Sequence, residues 1–190
     1  MSSYAFTWLK GSAVGVWDVN VITGAMPQKV ATAIGELSEN LMGASYEPIA
    51  YLGKQLVNGV NHAVLALQTL VLAQPVKNIV ILKFNEKDMD CNLIGIETLV
   101  QSGPACGGYN VDPKVGDEIG EDALKAFEKV TAGWVGSTVC PVALLATKVV
   151  KGIDMLFACT VTPVYPGAKA SFKLVLVNSL TGTLDFEDVF

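Results

Sequence analysis

The sequence predicts an α+β fold in which two similar units follow one another, each with one helix packed on an antiparallel meander of about four strands. Two observations predict this fold class. The chain partly matches itself when it is shifted by 93 residues, and both halves place a helical apolar stripe before a series of apolar strand-like runs. We therefore expect two domains, residues 1–100 and residues 101–190.

The self-similarity is modest in identity but regular in position. At an offset of 93 residues the following amino acids stand opposite identical ones: Pro48 and Pro141, Ala50 and Ala143, Leu52 and Leu145, Val57 and Val150, Gly59 and Gly152, Asn85 and Asn178. Upstream, "GVWDVNVITG" at 15–24 resembles "GGYNVDPKVG" at 107–116 once the offset is 92. In the first of these segments Trp17 alternates with Val19 and Val21, which is typical of a half-buried strand.

The helix of each unit is predicted by apolar residues at spacings of 0, 4, 7 and 11, which lie on one helical face. These stripes are Val30, Ile34, Leu37 and Leu41 in the first unit and Ala123, Phe127, Val130 and Trp134 in the second. Pro27 favours a helix start in the first unit, and Glu121 with Asp122 favours the positive end of the helix dipole in the second. The stripes predict that Trp134 belongs to the core.

The strands are predicted by three apolar runs in each unit. The runs are "IAYLGKQLV", "HAVLALQTLVL" and "IVILKF" in the first unit and "ALLATKVV", "MLFACTVTPV" and "FKLVLV" in the second. A sheet with one solvent-facing side alternates apolar and polar residues, whereas several of these runs are apolar at nearly every position. We therefore expect both sheet faces to be covered, either by the sheet of the other unit or by a second chain.

Composition narrows the classes of partner. A net charge of −5, with scattered Lys and Arg, argues against a nucleic-acid partner, which needs a basic patch. The apolar runs are interrupted before the roughly 18 residues of a membrane span, and the 51% hydrophobic content favours a homo-oligomer. The N-terminal segment lacks the pattern of a signal peptide, so we expect a cytoplasmic protein or a mature secreted form.

The chain offers little that points to catalysis or to a metal. Its four cysteines, Cys91, Cys106, Cys140 and Cys159, have no C-x-x-C spacing, and His62 is the single histidine. The sequence is compatible with two disulfides among these cysteines and equally with free thiols. No nucleophile elbow or cluster of metal ligands is present in the sequence, so we expect no enzyme, no metal site and no cofactor.

The most informative short string is Gln55-Leu56-Val57-Asn58-Gly59, which ends one strand before Val60-Asn61-His62 begins the next. Asn-Gly predicts a tight type I′ hairpin turn, whatever the role of the protein. A helix followed by a strand ending in Gln-x-Val-x-Gly and a strand beginning Val-Asn-His resembles the cystatin family. Gln55, Val57, Gly59 and Asn61 match that family position by position, and His62 stands where an aromatic residue is usual.

The resemblance implies tandem cystatin-like domains and a function. The protein would inhibit papain-like cysteine proteases by occluding their active-site cleft with the hairpin at residues 55–59. Gly15 or Gly24 would be the glycine of the N-terminal trunk. The family's second loop often presents Pro-Trp, whereas this chain has Asn85-Glu86-Lys87-Asp88.

The second unit departs further from the family. Its loop reads Lys148-Val149-Val150-Lys151-Gly152, so the glutamine is replaced by a cation, while Gly107 and Gly108 match the Gly-Gly trunk. An incomplete set of contact segments leaves a second hypothesis open. In that alternative the protein is a non-inhibitory binding or self-assembly module that uses its apolar sheet faces.

Overall fold

The computed structural model describes residues 15–40, 43–103, 108–182 and 184–189, which form two five-stranded antiparallel sheets and two α-helices. The first sheet has the strand order β1-β2-β3-β4-β5, with β1 Asp18–Ile22, β2 Ala44–Leu56, β3 Val60–Leu70, β4 Val76–Lys87 and β5 Asp90–Gln101, and helix α1 is Gln28–Asn40. The second sheet contains β6 Asn110–Val115, β7 Ser137–Val150, β8 Gly152–Pro163, β9 Ser171–Asn178 and β10 Leu184–Asp188, in the order β10-β9-β8-β7-β6, and helix α2 is Glu121–Thr131. A short 3-10 turn, Gly116–Glu118, precedes α2.

The inner faces of the two sheets pack against each other and form one apolar core. Its largest fully buried members are Leu52, Leu65, Ile79, Ile81 and Leu99 from the first sheet and Leu145 and Phe172 from the second. Successive side chains of a strand point to opposite faces, so a second buried face requires apolar residues at the intervening positions as well. Of the two covers expected from the sequence, the sheet of the other unit is the one that the structure has.

The outer face of each sheet is covered by a helix. Val30 and Ile34 of α1 pack in a cluster with Val64 of β3. In the second unit, Phe127 of α2 packs on Phe157 of β8, with ring centroids 4.9 Å apart. The central strands of each sheet are thus buried on both sides, which accounts for their near-continuous apolar runs.

The predicted fold class, tandem cystatin-like domains with one helix on a four-stranded meander each, is wrong. Of the residues that the structure describes, 58% are in strands and 16% in helices, and the strands form two five-stranded antiparallel sheets. The segments that we expected to lead into each helix are themselves strands, because β1 pairs with β2 and β6 pairs with β7. Alternation along a segment predicts a half-buried strand but does not name the strand to which it bonds.

Two further expectations concern Trp134 and the boundary between the two units. Trp134, predicted to be core, lies beyond the end of α2 and is 44% exposed; its ring packs against Phe186 with centroids 4.3 Å apart. The division into domains at residues 100 and 101 stays a prediction. It falls at the end of β5, just before an isolated parallel bridge between Ser102 and Tyr109.

No helix in the described ranges combines the length and apolar character that crossing a membrane requires. The expected oligomer stays a prediction. Within the chain, the apolar area of the central strands is taken up by the facing sheet and by the two helices.

The shared core predicts that the two sheets unfold together. Leu145 is fully buried between the sheets, so we expect Leu145→Ala to lower the free energy of unfolding by about 2–5 kcal/mol through lost transfer energy and the cavity that remains. Ile153→Ala, at an exposed site of the same sheet, should change it by less than about 0.5 kcal/mol. Guanidinium unfolding, followed by circular dichroism and tryptophan fluorescence, measures both. Two separate transitions, only one of them moved by Leu145→Ala, would contradict a shared core.

Candidate functional site at the hairpin edge

The β2–β3 hairpin turns at residues 57–59. The amide of Val57 donates to the carbonyl oxygen of Gly59 at 3.1 Å, and Gly59 has a φ of +113°. The predicted type I′ turn is wrong in detail, because that turn needs positive φ at both central residues. Asp88 is the single non-glycine residue with positive φ in the described ranges, so Asn58 does not meet this requirement.

Three chain segments lie side by side at this end of the first sheet. A β-carbon built on Gly15 would lie 2.8 Å from the carbonyl oxygen of Leu56, and one built on Gly59 would lie 2.6 Å from the carbonyl oxygen of Glu86. Both distances are shorter than real β-carbons tolerate, so glycine is what lets these backbones approach. We call this surface, formed by residues 15–16, 56–59 and 86–89, the hairpin edge.

The hairpin edge presents three large apolar side chains to solvent. Val16 is 82% exposed, Leu56 is 74% exposed and Met89 is 85% exposed. One comes from each segment: the stretch before β1, the end of β2 and the β4–β5 turn. Exposed apolar side chains are common singly, but three on adjoining segments indicate a contact surface.

A chain of side-chain amides ties the segments together. Asn85 Nδ2 donates to Asn61 Oδ1 at 2.7 Å, and Asn61 Nδ2 donates to Gln55 Oε1 at 3.1 Å. Gln55 Nε2 then donates to the carbonyl oxygen of Gly15 at 2.9 Å. The amides link β4, β3 and β2 in turn and end on the segment that carries Val16, so they fix that segment against the hairpin.

The structure brings together part of the predicted set of contact residues. Gly15 lies against the hairpin, whereas Gly24 lies in the turn between β1 and α1, with no atom within 4 Å of where its β-carbon would be. Gln55, expected to face a protease, is only 3% exposed and points into the amide chain. Gln55 therefore supports the hairpin edge from inside and is not part of its exposed surface. No motif in the sequence marks Met89, which directly follows the second loop predicted at residues 85–88.

The corresponding hairpin of the second unit also ends in exposed apolar residues. Val149 is largely exposed, and a β-carbon on Gly152 would lie 2.7 Å from Cβ of Leu180 in the β9–β10 turn. Lys148 Nζ lies 5.7 Å from the centroid of the Tyr109 ring, close enough for a cation–π contact. The turn between β7 and β8 is at Lys151, as the repeat predicts.

The predicted trunk of the second unit is placed differently from Gly15. Gly107 lies outside the described residues. A β-carbon on Gly108 would lie 2.5 Å from the carbonyl oxygen of Gly103, so Gly108 packs on the backbone that follows β5. This is the end of the first sheet, and the contact of Gly108 is therefore with a different segment from the one that Gly15 meets.

The sequence did not predict a polar chain beside the hairpin edge, which runs from the partly exposed Lys29 to the buried Tyr51. Lys29 Nζ donates to Glu86 Oε1 at 2.8 Å, His62 Nε2 lies 3.2 Å from Glu86 Oε2, and Tyr51 Oη lies 2.9 Å from His62 Nδ1. A hydrogen bond from Lys29 lowers the pKa of Glu86, so Glu86 is a carboxylate and accepts from Nε2. Nδ1 of the neutral His62 ring then accepts a hydrogen bond from the hydroxyl of Tyr51.

Burial determines the charge state of this chain. Burial lowers the pKa of His62, and the hydrogen bond that the ring donates to Glu86, which acts in the opposite direction, is the weaker effect. It also raises the pKa of Tyr51 to about 12, with Asp18 and Glu86 adding to the rise. The histidine is therefore neutral and the phenol stays protonated at neutral pH.

The described residues contain no group of three or more His, Cys, Asp or Glu side chains arranged to hold a metal ion. Cys91, Cys140 and Cys159 are free thiols, and burial raises the pKa of Cys159. Cys106 lies outside the described residues.

No protein-family model matches the chain, and neither curated proteins nor solved structures give a match. The assignment of function therefore depends on the geometry of the site and on the resemblance of residues 55–59.

The amide chain predicts a specific effect of Gln55→Ala. Loss of this side chain leaves the Gly15 carbonyl and the Asn61 amide without their partners, so we expect a loss of about 1–3 kcal/mol of stability and faster cleavage near residue 15 in limited proteolysis. Gln68→Ala is the matched control, since Gln68 bonds Tyr46 and Asn78 within the same sheet but does not contact the segment before β1. Equal cleavage near residue 15 in both variants would contradict the role of Gln55.

His62 predicts a pH dependence with a definite sign. Its folded pKa is lowered below the ordinary value of about 6.5, so the unfolded chain takes up the proton first as pH falls. Stability is therefore full above that value and declines as pH drops towards the folded pKa. Because the chain has one histidine, its ring signals in ¹³C-edited NMR report the folded value directly. A folded-state pKa at or above the ordinary value would refute this expectation; Tyr51, Glu86, Lys29 and Lys54 are the ionisable groups that surround the ring.

Proposed function

We propose that the protein inhibits papain-like cysteine proteases by placing the hairpin edge in their active-site cleft. The observation that carries this proposal is the exposure of Val16, Leu56 and Met89 on three adjoining segments. The string at residues 55–59, which resembles the inhibitory loop of the cystatin family, suggests the class of enzyme. The proposal depends on this edge and not on the fold class that the sequence predicted.

Pre-organisation is the physical reason why such an edge binds. The amide chain ending at Gly15 and the close backbone contact at Gly59 hold the segments in place before binding. Little conformational entropy is then lost on docking, and the burial of exposed apolar side chains contributes directly to affinity. The mechanism is occlusion, in which the enzyme's nucleophile is covered and no bond is cut.

The edge is a better contact surface than the sheet faces, which the alternative hypothesis uses. The inner faces of both sheets pack together, and α1 and α2 cover the central strands on the outer faces. The apolar side chains left exposed on β5, Ile94 and Ile96, are less exposed than the three of the hairpin edge. An apolar surface that is already buried within the chain has no further transfer free energy to gain from a partner.

The test is a titration of papain activity with the purified protein and two variants. Leu56→Asp puts a charge on the hairpin edge, where desolvation in the cleft is unfavourable, so we expect inhibition to weaken by at least about tenfold. Val71→Asp is the matched control. Val71 is 71% exposed and follows β3, at the opposite end of that strand from the hairpin, so this variant should inhibit like the unaltered protein.

The outcomes decide whether the hairpin edge is an inhibitory surface. Competitive inhibition that Leu56→Asp weakens and Val71→Asp leaves intact supports the edge. Absence of inhibition up to about 50 μM protein, a concentration that would detect even weak binding, overturns the proposal. Equal weakening by both variants would point to a general charge effect and would also overturn it.

A further inference from the structure

Asn58 lies at the exposed tip of the hairpin edge, and it is the single asparagine of the chain that a glycine follows. Within the part of the chain that the structure describes, its side chain makes no hydrogen bond. The amide nitrogen of Gly59 has no acceptor there either, and the hydrogen bond that closes the turn, donated by Val57, uses the carbonyl oxygen of Gly59. A side-chain carboxamide and the backbone amide that follows it are therefore both unengaged at this turn.

These two groups are the reactants of succinimide formation. The nitrogen of Gly59 loses its proton to hydroxide and attacks Cγ of Asn58. The bond from Cγ to Nδ2 then breaks, and the side-chain nitrogen takes a proton from water and leaves as ammonia. Water opens the resulting cyclic imide: opening at Cγ yields aspartate, and opening at the main-chain carbonyl carbon yields isoaspartate, in which the main chain passes through the former side chain. Glycine favours ring closure, since it has no β-carbon to obstruct the attack.

We propose that Asn58 is a modification site, at which the folded chain deamidates through this imide without an enzyme. Both products place a carboxylate on the hairpin edge, the surface that also carries the exposed Leu56 and Met89. Isoaspartate in addition lengthens the main chain between residues 58 and 59, so the hydrogen bond from the amide of Val57 to the carbonyl of Gly59 loses its geometry. The hairpin edge thus has an initial neutral form and an aged form that is charged and costly to bury.

The second unit contains a matched asparagine that the fold protects. Asn178 also ends a strand at a turn and is followed by another small residue, serine, but it is only 6% exposed. Its Oδ1 accepts from the backbone amides of Leu180 and Thr181, both at 2.9 Å, and its Nδ2 donates to Oδ1 of Asp154 at 2.6 Å. A carboxamide held in this way cannot turn its Cγ towards the next backbone nitrogen, so the two sites differ in reactivity.

The experiment ages the purified full chain at physiological temperature and mildly alkaline pH, and follows each asparagine by peptide mass spectrometry. Chromatography separates the aspartate and isoaspartate products. We expect Asn58 to convert at least about tenfold faster than Asn178 in the folded chain, since its activation free energy is lower. A chain kept unfolded in urea, in which Asn178 is released, provides the reference. Equal rates at the two sites of the folded chain, or conversion of Asn58 in the unfolded chain alone, would overturn the proposal.

The effect on inhibition rests on the proposed function and has its own test. Asn58→Asp carries the charge of the product from the start, and we expect it to inhibit papain about tenfold more weakly than the fresh chain. Asn58→Gln keeps a neutral amide that closes a ring far more slowly, so it should retain its inhibition on ageing while the unaltered chain loses it. Thermal unfolding by circular dichroism checks that both variants are folded. Undiminished inhibition by the fully converted chain would contradict this effect. Absence of inhibition by the fresh chain would overturn the proposed function alone, because mass decides the modification independently.

Discussion

Face-to-face burial of the two sheets is the constraint on which the rest of the structure depends. The core between them takes the inner faces of both sheets, and α1 and α2 take the outer faces. Central strands that are buried on both sides have few positions left for polar or exposed groups. The polar chemistry of the first unit is therefore confined to strand ends and turns, which is where the hairpin edge and the pair of His62 and Glu86 lie.

The polar residues next to the hairpin form two separate systems on opposite faces of the same strands. The amide chain of Gln55, Asn61 and Asn85 ends on the backbone of Gly15, whereas His62 and Glu86 belong to a chain that begins at Lys29 of α1. Asn61 and His62 are neighbours on β3, so their side chains point to opposite faces of the sheet and each belongs to a different system. One carries no charge and fixes a segment in place, and the other contains the ionisable groups.

The sequence predicted a good part of the elements and less of the site. The apolar stripes and runs indicated both helices and the central strands, and the two-sided runs indicated that each sheet is covered twice. Strict alternation of side chains along β2 does not predict that Gln55 points inward. Bulges between Pro48 and Ala50 and between Tyr51 and Gly53 shift that alternation. The pair of Lys29 and Glu86, 57 residues apart, depends on how α1 crosses the sheet, which no local pattern records.

Glu86 connects the polar chain to the hairpin turn. Its carboxylate accepts from Lys29 and from His62, and its carbonyl oxygen is the atom against which Gly59 packs. A displacement of Glu86 would therefore act on the hairpin turn and on the surroundings of His62 together. By thermodynamic linkage, a molecule that bound the hairpin and shifted Glu86 would change the proton affinity of His62, and protonation of His62 would change the affinity for that molecule by the same factor.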